Sequence, residues 1–331
     1  MTSFDYTQLR VQSRGALQAA NYSPKKIIWI HSGVSIGLGL LLSLLSYLLD
    51  MGVAQTGGLS GIGTRTVLET IRSLLESANM IFLPFWSVGY IRVVLNWIHR
   101  EDAPAGTLLS GFRCIGGVLR LMILRGLLYA VLGMLGGYVG AAVFMLSPGA
   151  RPLYQLVQEM VQSGVTDSAV ILESQAYQAA ADAVMPYMLV AAALVILPLA
   201  YRLRYAEFVL MDDPRMGALR SVLRSWRITR GNCRALLKLD LRFWWYHLAT
   251  VLIVALSYGD VLLSLAGMEL KLGAEWVPLA FYAAALLCEL GLYVWKKNEV
   301  QTVYALAYLQ LSMPLADMPI MPQPTRVPWR Y

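Results

Sequence analysis

The stretch GGVLRLMILRGLLYAVLGMLGGYVGAAVFML, Gly116 to Leu146, decides the fold class. Only Arg120 and Arg125 interrupt its apolar run, and nothing in it alternates between apolar and polar residues. A spanning helix needs about 20 mainly apolar residues, so this run crosses a bilayer with tilt or extends past the lipid. A transmembrane β-strand would alternate, which excludes a barrel and leaves helices as the way to satisfy the backbone in lipid. Gly133, Gly136, Gly137 and Gly140 give overlapping G-x-x-x-G spacings, which predict close helix packing, either internal or between protomers.

Five more runs of this kind lie at residues 27–49, 80–98, 185–203, 239–265 and 276–295. The expected fold is therefore all-α: a polytopic helical membrane protein with about six transmembrane helices in residues 27–311, plus interfacial amphipathic helices. Composition agrees. Of 331 residues, 57% are hydrophobic and 14% charged, against about 25% charged in a soluble domain. The net charge of +7 does not point to nucleic acid, because the charges fill gaps between apolar runs rather than clustering on a soluble fold. The first run follows about 25 polar and amphipathic residues and ends without a small-x-small site, so it reads as an uncleaved span rather than a signal peptide.

Lys and Arg concentrate in cytoplasmic loops. Arg10, Arg14, Lys25 and Lys26 precede the first span, and Arg100 and Arg113 follow the second. Arg204, Arg215, Arg220, Arg224, Arg227, Arg230, Arg234 and Lys238 separate the fourth from the fifth, and Lys296 and Lys297 follow the sixth. Residues 50–76 are nearly balanced, and the external segment 147–184 has Arg151 against four carboxylates. Both termini are thus expected in the cytoplasm. Residues 1–26 carry an amphipathic helix with Tyr6, Leu9, Ala16, Leu17 and Ala20 as its apolar stripe and Arg10 and Arg14 off it. Residues 312–331 form a proline-rich tail that cannot be helical.

Between the fourth and fifth spans, Asp213 has the chemistry of an N-cap, and Pro214 suits a first helical position. A basic helix is expected over 214–230, with Met216, Leu219, Val222, Leu223 and Trp226 on one face and Arg220, Arg224 and Arg227 on another. Gly231 stops it and Asn232 caps the next helix. Such a helix belongs in the headgroup layer, where each arginine contributes about 1 kcal/mol against an anionic leaflet. Anionic membrane lipids are therefore the expected partners, with a membrane protein or a second copy of the chain as further candidates.

The segment YRLRYAEFVLMDDPRMGALRSVLRSWRITRGNCRALLKLDLRFW, Tyr201 to Trp244, resembles the signature of the bacterial integral-membrane family catalogued as domain of unknown function 975. The shared features are a tyrosine-rich span end, the D-x-P turn, the helix from Ser225 to Gly231-Asn232, and the run through Asp240 to Phe243. LRVQSRGAL, from Leu9, and LPFWSVGYIRVVLNWIHREDAPAGTLLSGF, from Leu83, are similar to that family's opening helix and second span. The chain departs from the pattern at Cys233, where a basic residue is expected, and over residues 147–183. The resemblance implies a multispan protein of the bacterial plasma membrane and brings no activity or catalytic residue with it.

Ionisable groups within spans are functional candidates because each is costly there. At about 1.5 Å per residue, His31, Arg92, Arg125 and Glu289 lie at comparable depth, which predicts an intramembrane polar layer with Glu289 paired to Arg92 or Arg125 and His31 nearby. The bland alternative leaves the arginines snorkelling to headgroups. No H-E-x-x-H, Walker or G-x-S-x-G motif is present. The glycine-rich run Gly57 to Arg65 falls on the external side and reads as a loop. Neither the histidines, His31, His99 and His247, nor the cysteines, Cys114, Cys233 and Cys288, have metal-ligand spacing, so no metal, cofactor or catalytic residue is expected. Three function classes stay open: a non-enzymatic membrane protein accessory to transport or envelope maintenance, a transporter lined by the polar layer, and a lipid-modifying enzyme. Pro84 and Pro198 interrupt two spans, but the halves show no repeat of the kind many transporters have.

Overall fold

The computed structural model describes residues 4–55, 62–163, 175–259, 263 and 277–312. Helices and short connections make up these residues, with no strand among them, and the protein is an all-α polytopic membrane protein. Five helices are long and apolar enough to cross a membrane, or six if one bent pair forms a single span. The chain divides into two compact units. One holds residues up to 118 with Glu207–Gly217 and everything from Gly231 onward; the other holds Leu119–Ala206 and Ala218–Arg230.

In the first unit, α1 (Tyr6–Gln18), α2 (Pro24–Gln55) and α3 (Ile62–His99) precede a 3-10 turn at Ala105–Leu109 and the short α4 (Ser110–Arg113). The inner half of α3 is buried from Phe85 to Ile98 with few exceptions. The turn and α4 lie so closely on α3 that a Cβ on Gly89 would sit 1.8 Å from the Leu108 carbonyl oxygen, and one on Gly111 2.0 Å from that of Phe85. Helices that cross at backbone contact need glycine at the crossing, and this one has it on both sides.

α5 (Ile115–Met145) runs within one residue of the expected span at each end. It leads through a 3-10 turn at Pro148–Ala150 to α6 (Arg151–Ser163) and α7 (Gln175–Leu203). Ile123, Leu127, Met134 and Val139 on α5 are large, apolar and exposed, as lipid-facing residues are. The glycine stripe is used internally. A Cβ on Gly136 would lie 2.5 Å from the Ala192 Cα, and one on Gly140 2.4 Å from the Tyr187 carbonyl oxygen, both on α7. The expected external segment 147–184 is thus helical in part, and its residues 164–174 lie outside the described residues.

α8 (Ala206–Asp212), a 3-10 turn at Pro214–Met216, α9 (Ala218–Thr229), α10 (Cys233–Arg242) and α11 (Trp244–Ser257) follow. The expected fifth span, 239–265, contains a break, because α10 and α11 are bent by 71° at Phe243. Of its far end, residues 260–262 and 264–265 lie outside the described residues. α12 (Val277–Leu292), one turn of π-helix (Tyr293–Lys297) and α13 (Asn298–Ser312) then form a continuous helical path. The helical path therefore runs on beyond the expected sixth span, 276–295. Lys296 and Lys297 lie inside the path, and beyond them Val300 and Thr302 to Leu309 are all buried. A helix buried on every side is a core element, so α13 is the centre of the first unit.

α1 docks on α13 through Leu9, Ser13 and Ala16, with the Ser13 hydroxyl donating to the Glu299 carbonyl at 3.3 Å. Leu17 and Ala20, placed in its apolar stripe from sequence, are only partly buried. The glycine-rich loop reading holds for no described residue, since Ile62 to Arg65 are helical and Gly57 to Gly61 lie outside the described residues. Except for Ser312, the proline-rich tail lies outside them as well.

Candidate functional site

The basic helix α9 is built from small residues inward. Ala218, Ser221, Val222, Ser225 and Thr229 are its buried face, and they bring it against the end of α7, where unpaired carbonyls need partners. The Ser225 hydroxyl donates to the Arg202 carbonyl at 2.7 Å and accepts from the Tyr205 amide at 3.2 Å. Thr229 donates to the same carbonyl at 3.4 Å. With the inner face taken by serines, the larger apolar residues turn outward. Leu219, Leu223 and Trp226 are 61%, 56% and 45% exposed, and Arg220 and Arg227 are exposed beside them while Arg224 is half-buried. The Arg202 guanidinium lies 5.5 Å from the Trp226 ring.

Two capping expectations are corrected. Asp213 does cap, but its carboxylate accepts from the Arg215 amide at 3.1 Å and so closes the 3-10 turn rather than the basic helix. Gly217, at φ +76°, then breaks the path, a conformation glycine adopts without strain, and α9 starts at Ala218 instead of 214. Asn232 stands at the N-cap position of α10, yet its side chain makes no cap hydrogen bond there. Its carbonyl accepts the Leu236 amide at 3.0 Å.

Of the polar layer expected from sequence, two members of the first unit meet through a third residue that sequence reasoning missed. Lys297, in the π turn, places its ammonium 3.1 Å from His31 Nε2 and 3.8 Å from the centre of the Tyr293 ring. An ammonium only donates, so Nε2 accepts and the imidazole proton sits on Nδ1. Among the described residues Nδ1 has no hydrogen-bond partner. The ring lies between Tyr90 and Trp86, with centroids 4.5 and 5.9 Å away. Glu289 lines one cavity with Tyr293 and acts electrostatically on Lys297. Spacings of four residues, Glu289 to Tyr293 to Lys297, were the available signal. Arg92 turns away, giving Nη1 to the Met211 carbonyl at 2.7 Å with Glu101 at 3.7 Å. Arg125 belongs to the second unit and gives Nε to the Tyr129 hydroxyl at 3.0 Å.

α13 carries further polar contacts that the sequence did not disclose. The Tyr304 hydroxyl donates to Asp240 at 2.8 Å and lies 3.1 Å from His247 Nε2, which must then be the donor to it. One turn on, the Tyr308 hydroxyl donates to Asp212 at 2.9 Å. Glu299 is held by Arg10 at 2.7 Å and by Lys296 at 2.9 Å. The hydrogen bond to Glu299 raises the Arg10 pKa above its ordinary value, so Arg10 remains a cation.

Glu289 also lines a cavity of about 180 Å³ between α11 and α12, together with Thr250, Ser257, Tyr282 and Tyr293. That is room for about six waters at roughly 30 Å³ each, and less than the roughly 300 Å³ at which organic-ligand pockets begin. Among the described residues no three His, Cys, Asp or Glu side chains converge as a metal site, and Cys114, Cys233 and Cys288 form no disulfide. No protein-family model, no curated protein and no solved structure matches this chain.

Proposed function

We propose that this is a non-enzymatic protein of the bacterial plasma membrane, similar to the family catalogued as domain of unknown function 975. In this reading it holds anionic lipid headgroups or a membrane partner along α9 and is accessory to transport or envelope maintenance. Both termini and α9 are on the cytoplasmic side in this reading, as the distribution of Lys and Arg favours. The observation that supports it is the exposed Leu219, Leu223 and Trp226 stripe flanked by Arg220, Arg224 and Arg227. A helix in the headgroup layer presents this pair of surfaces, apolar into the acyl boundary and basic toward phosphate.

At about 1 kcal/mol per arginine the three together contribute at most about 3 kcal/mol of headgroup preference, reduced by salt. Protein reconstituted in mixed phosphatidylglycerol and phosphatidylcholine discs is expected to retain phosphatidylglycerol preferentially after delipidation. The R220Q/R224Q/R227Q variant is expected to lose at least about tenfold of that preference, and at most about 150-fold, the ratio to which about 3 kcal/mol corresponds. Equal retention by the two proteins would remove the reading.

A second reading is favoured by the cavity at Glu289: a path for protons or another small cation past Glu289, Tyr293 and Lys297. In proteoliposomes with an imposed pH gradient, wild-type protein is then expected to collapse the gradient faster than Glu289→Gln. Indistinguishable decay, at the rate of empty vesicles, excludes it.

A further inference from the structure

We propose that the cavity between the start of α1 and the basic face of α10 binds a phosphate ester. It measures about 520 Å³ and is walled by Phe4 to Thr7 on one side and by Arg234, Lys238 and Arg242 on the other. These three cations are spaced by four residues, so one face of α10 presents them in a row, and all three are exposed.

This row lacks the built-in counter-ion that Arg10, Lys296 and Arg92 have, and it differs from Lys25, Lys26, Arg100, Arg113 and Arg215 of the first unit in that its three members line one cavity. Arg10 is neutralised by Glu299, Lys296 by the same carboxylate, and Arg92 lies by Glu101. Among the described residues no carboxylate lies at ion-pair distance from Arg234, Lys238 or Arg242. The one acidic side chain in the wall, Asp5, is engaged with its own helix, accepting from the Thr7 and Gln8 amides at 2.9 and 3.3 Å. This also fills the N-terminus of α1, so recognition falls to the side chains of α10. The Arg242 guanidinium lies 5.8 Å from the Tyr6 ring, whose edge meets Phe243. Arg242 thus brings a planar donor fork to this wall, the geometry suited to two phosphate oxygens.

Size and place narrow the ligand. The volume falls within the range of about 300–1,000 Å³ typical of organic-ligand sites, larger than bare phosphate fills. The bend at Phe243 separates the polar α10 from the apolar α11, which opens on Trp244, Trp245 and Tyr246. Aromatic residues of this kind mark the headgroup level. A glycerophosphate group, from a phospholipid or from a soluble ester, fits both constraints.

The test uses the full chain purified in a neutral detergent, with thermal unfolding as readout. One arm titrates sn-glycerol 3-phosphate, the other phosphatidylglycerol in mixed micelles. Stabilisation by both, or by the lipid alone, or by the soluble ester alone, supports the site and identifies the source. In each case R234A/K238A is expected to weaken the apparent affinity about tenfold, the scale of losing two charge-assisted contacts. R220Q/R224Q/R227Q is expected to leave the glycerol phosphate response unchanged, which separates this site from the reading of α9. Should the double variant not elute as the wild type does, Lys238→Gln alone is read, with a loss of about threefold expected. No stabilisation by either ligand, or equal affinity in wild type and variant, overturns the proposal.

Discussion

Gly89→Ala is expected to be the most damaging glycine-to-alanine change among the described residues. The added carbon would lie 1.8 Å from the Leu108 carbonyl oxygen and 2.7 Å from the carbonyl carbon, so backbone rather than a movable side chain must yield. Neither wall can retreat. On one side α3 is buried through this region, and on the other Leu108 is fully buried and Gly111 would be met by the Phe85 carbonyl. Overpacking costs about 1–3 kcal/mol where side chains can shift, so a collision of two backbones is expected to cost about 3 kcal/mol or more. Gly106→Ala is the control, since nothing lies within 4 Å of the new atom, and it is expected to stay within about 0.5 kcal/mol. Thermal unfolding in detergent compares the two. Equal midpoints would mean the crossing opens freely.

Lys297→Met is expected to have the second-largest effect, because the ammonium serves several groups at once. It donates toward His31, sits over Tyr293 and lies in the field of Glu289. Methionine keeps the apolar stem and removes the charge, leaving His31 Nε2 without its donor and Glu289 without its cation. Removing one partner of a fully buried ion pair costs about 3–5 kcal/mol. Here Lys297 and Glu289 are half-buried and interact through the field rather than by direct contact, and about 2 kcal/mol is expected instead, after allowing for screening. The double variant K297M/E289L is expected to recover part of the loss, since it also removes the orphaned carboxylate. Strict additivity of the two single changes would show that the groups are not coupled.

The crossings were legible in the sequence because lipid imposes a continuous apolar run, and α5 departs from its expected limits by one residue at each end. What was hidden depends on partners distant in the chain. Lys296 and Lys297 look like a cytoplasmic flank, but Glu299, Glu289 and His31 receive their charge, so the helix continues past them. The bend at Phe243 falls in LRFWW, where no proline or glycine marks it. Nothing in the sequence marks Ser221 and Ser225 as core, yet both are buried in α9, and the Ser225 hydroxyl also satisfies the end of α7. Gly89 and Gly111 each look ordinary; only the crossing makes them a pair.

The π turn gives the last helix a property that no single side chain expresses. Its five residues, Tyr293 to Lys297, pack a longer hydrogen-bonded loop into an otherwise α-helical path. Deleting one of them would advance everything beyond by about 100°, the angular step of one residue in a helix of 3.6 per turn. Tyr304 and Tyr308 would then swing off Asp240 and Asp212, although neither tyrosine had been changed. In this part of the chain length counts as well as residue identity: the segment behaves as a screw thread whose phase is set once, at the π turn, for every contact downstream.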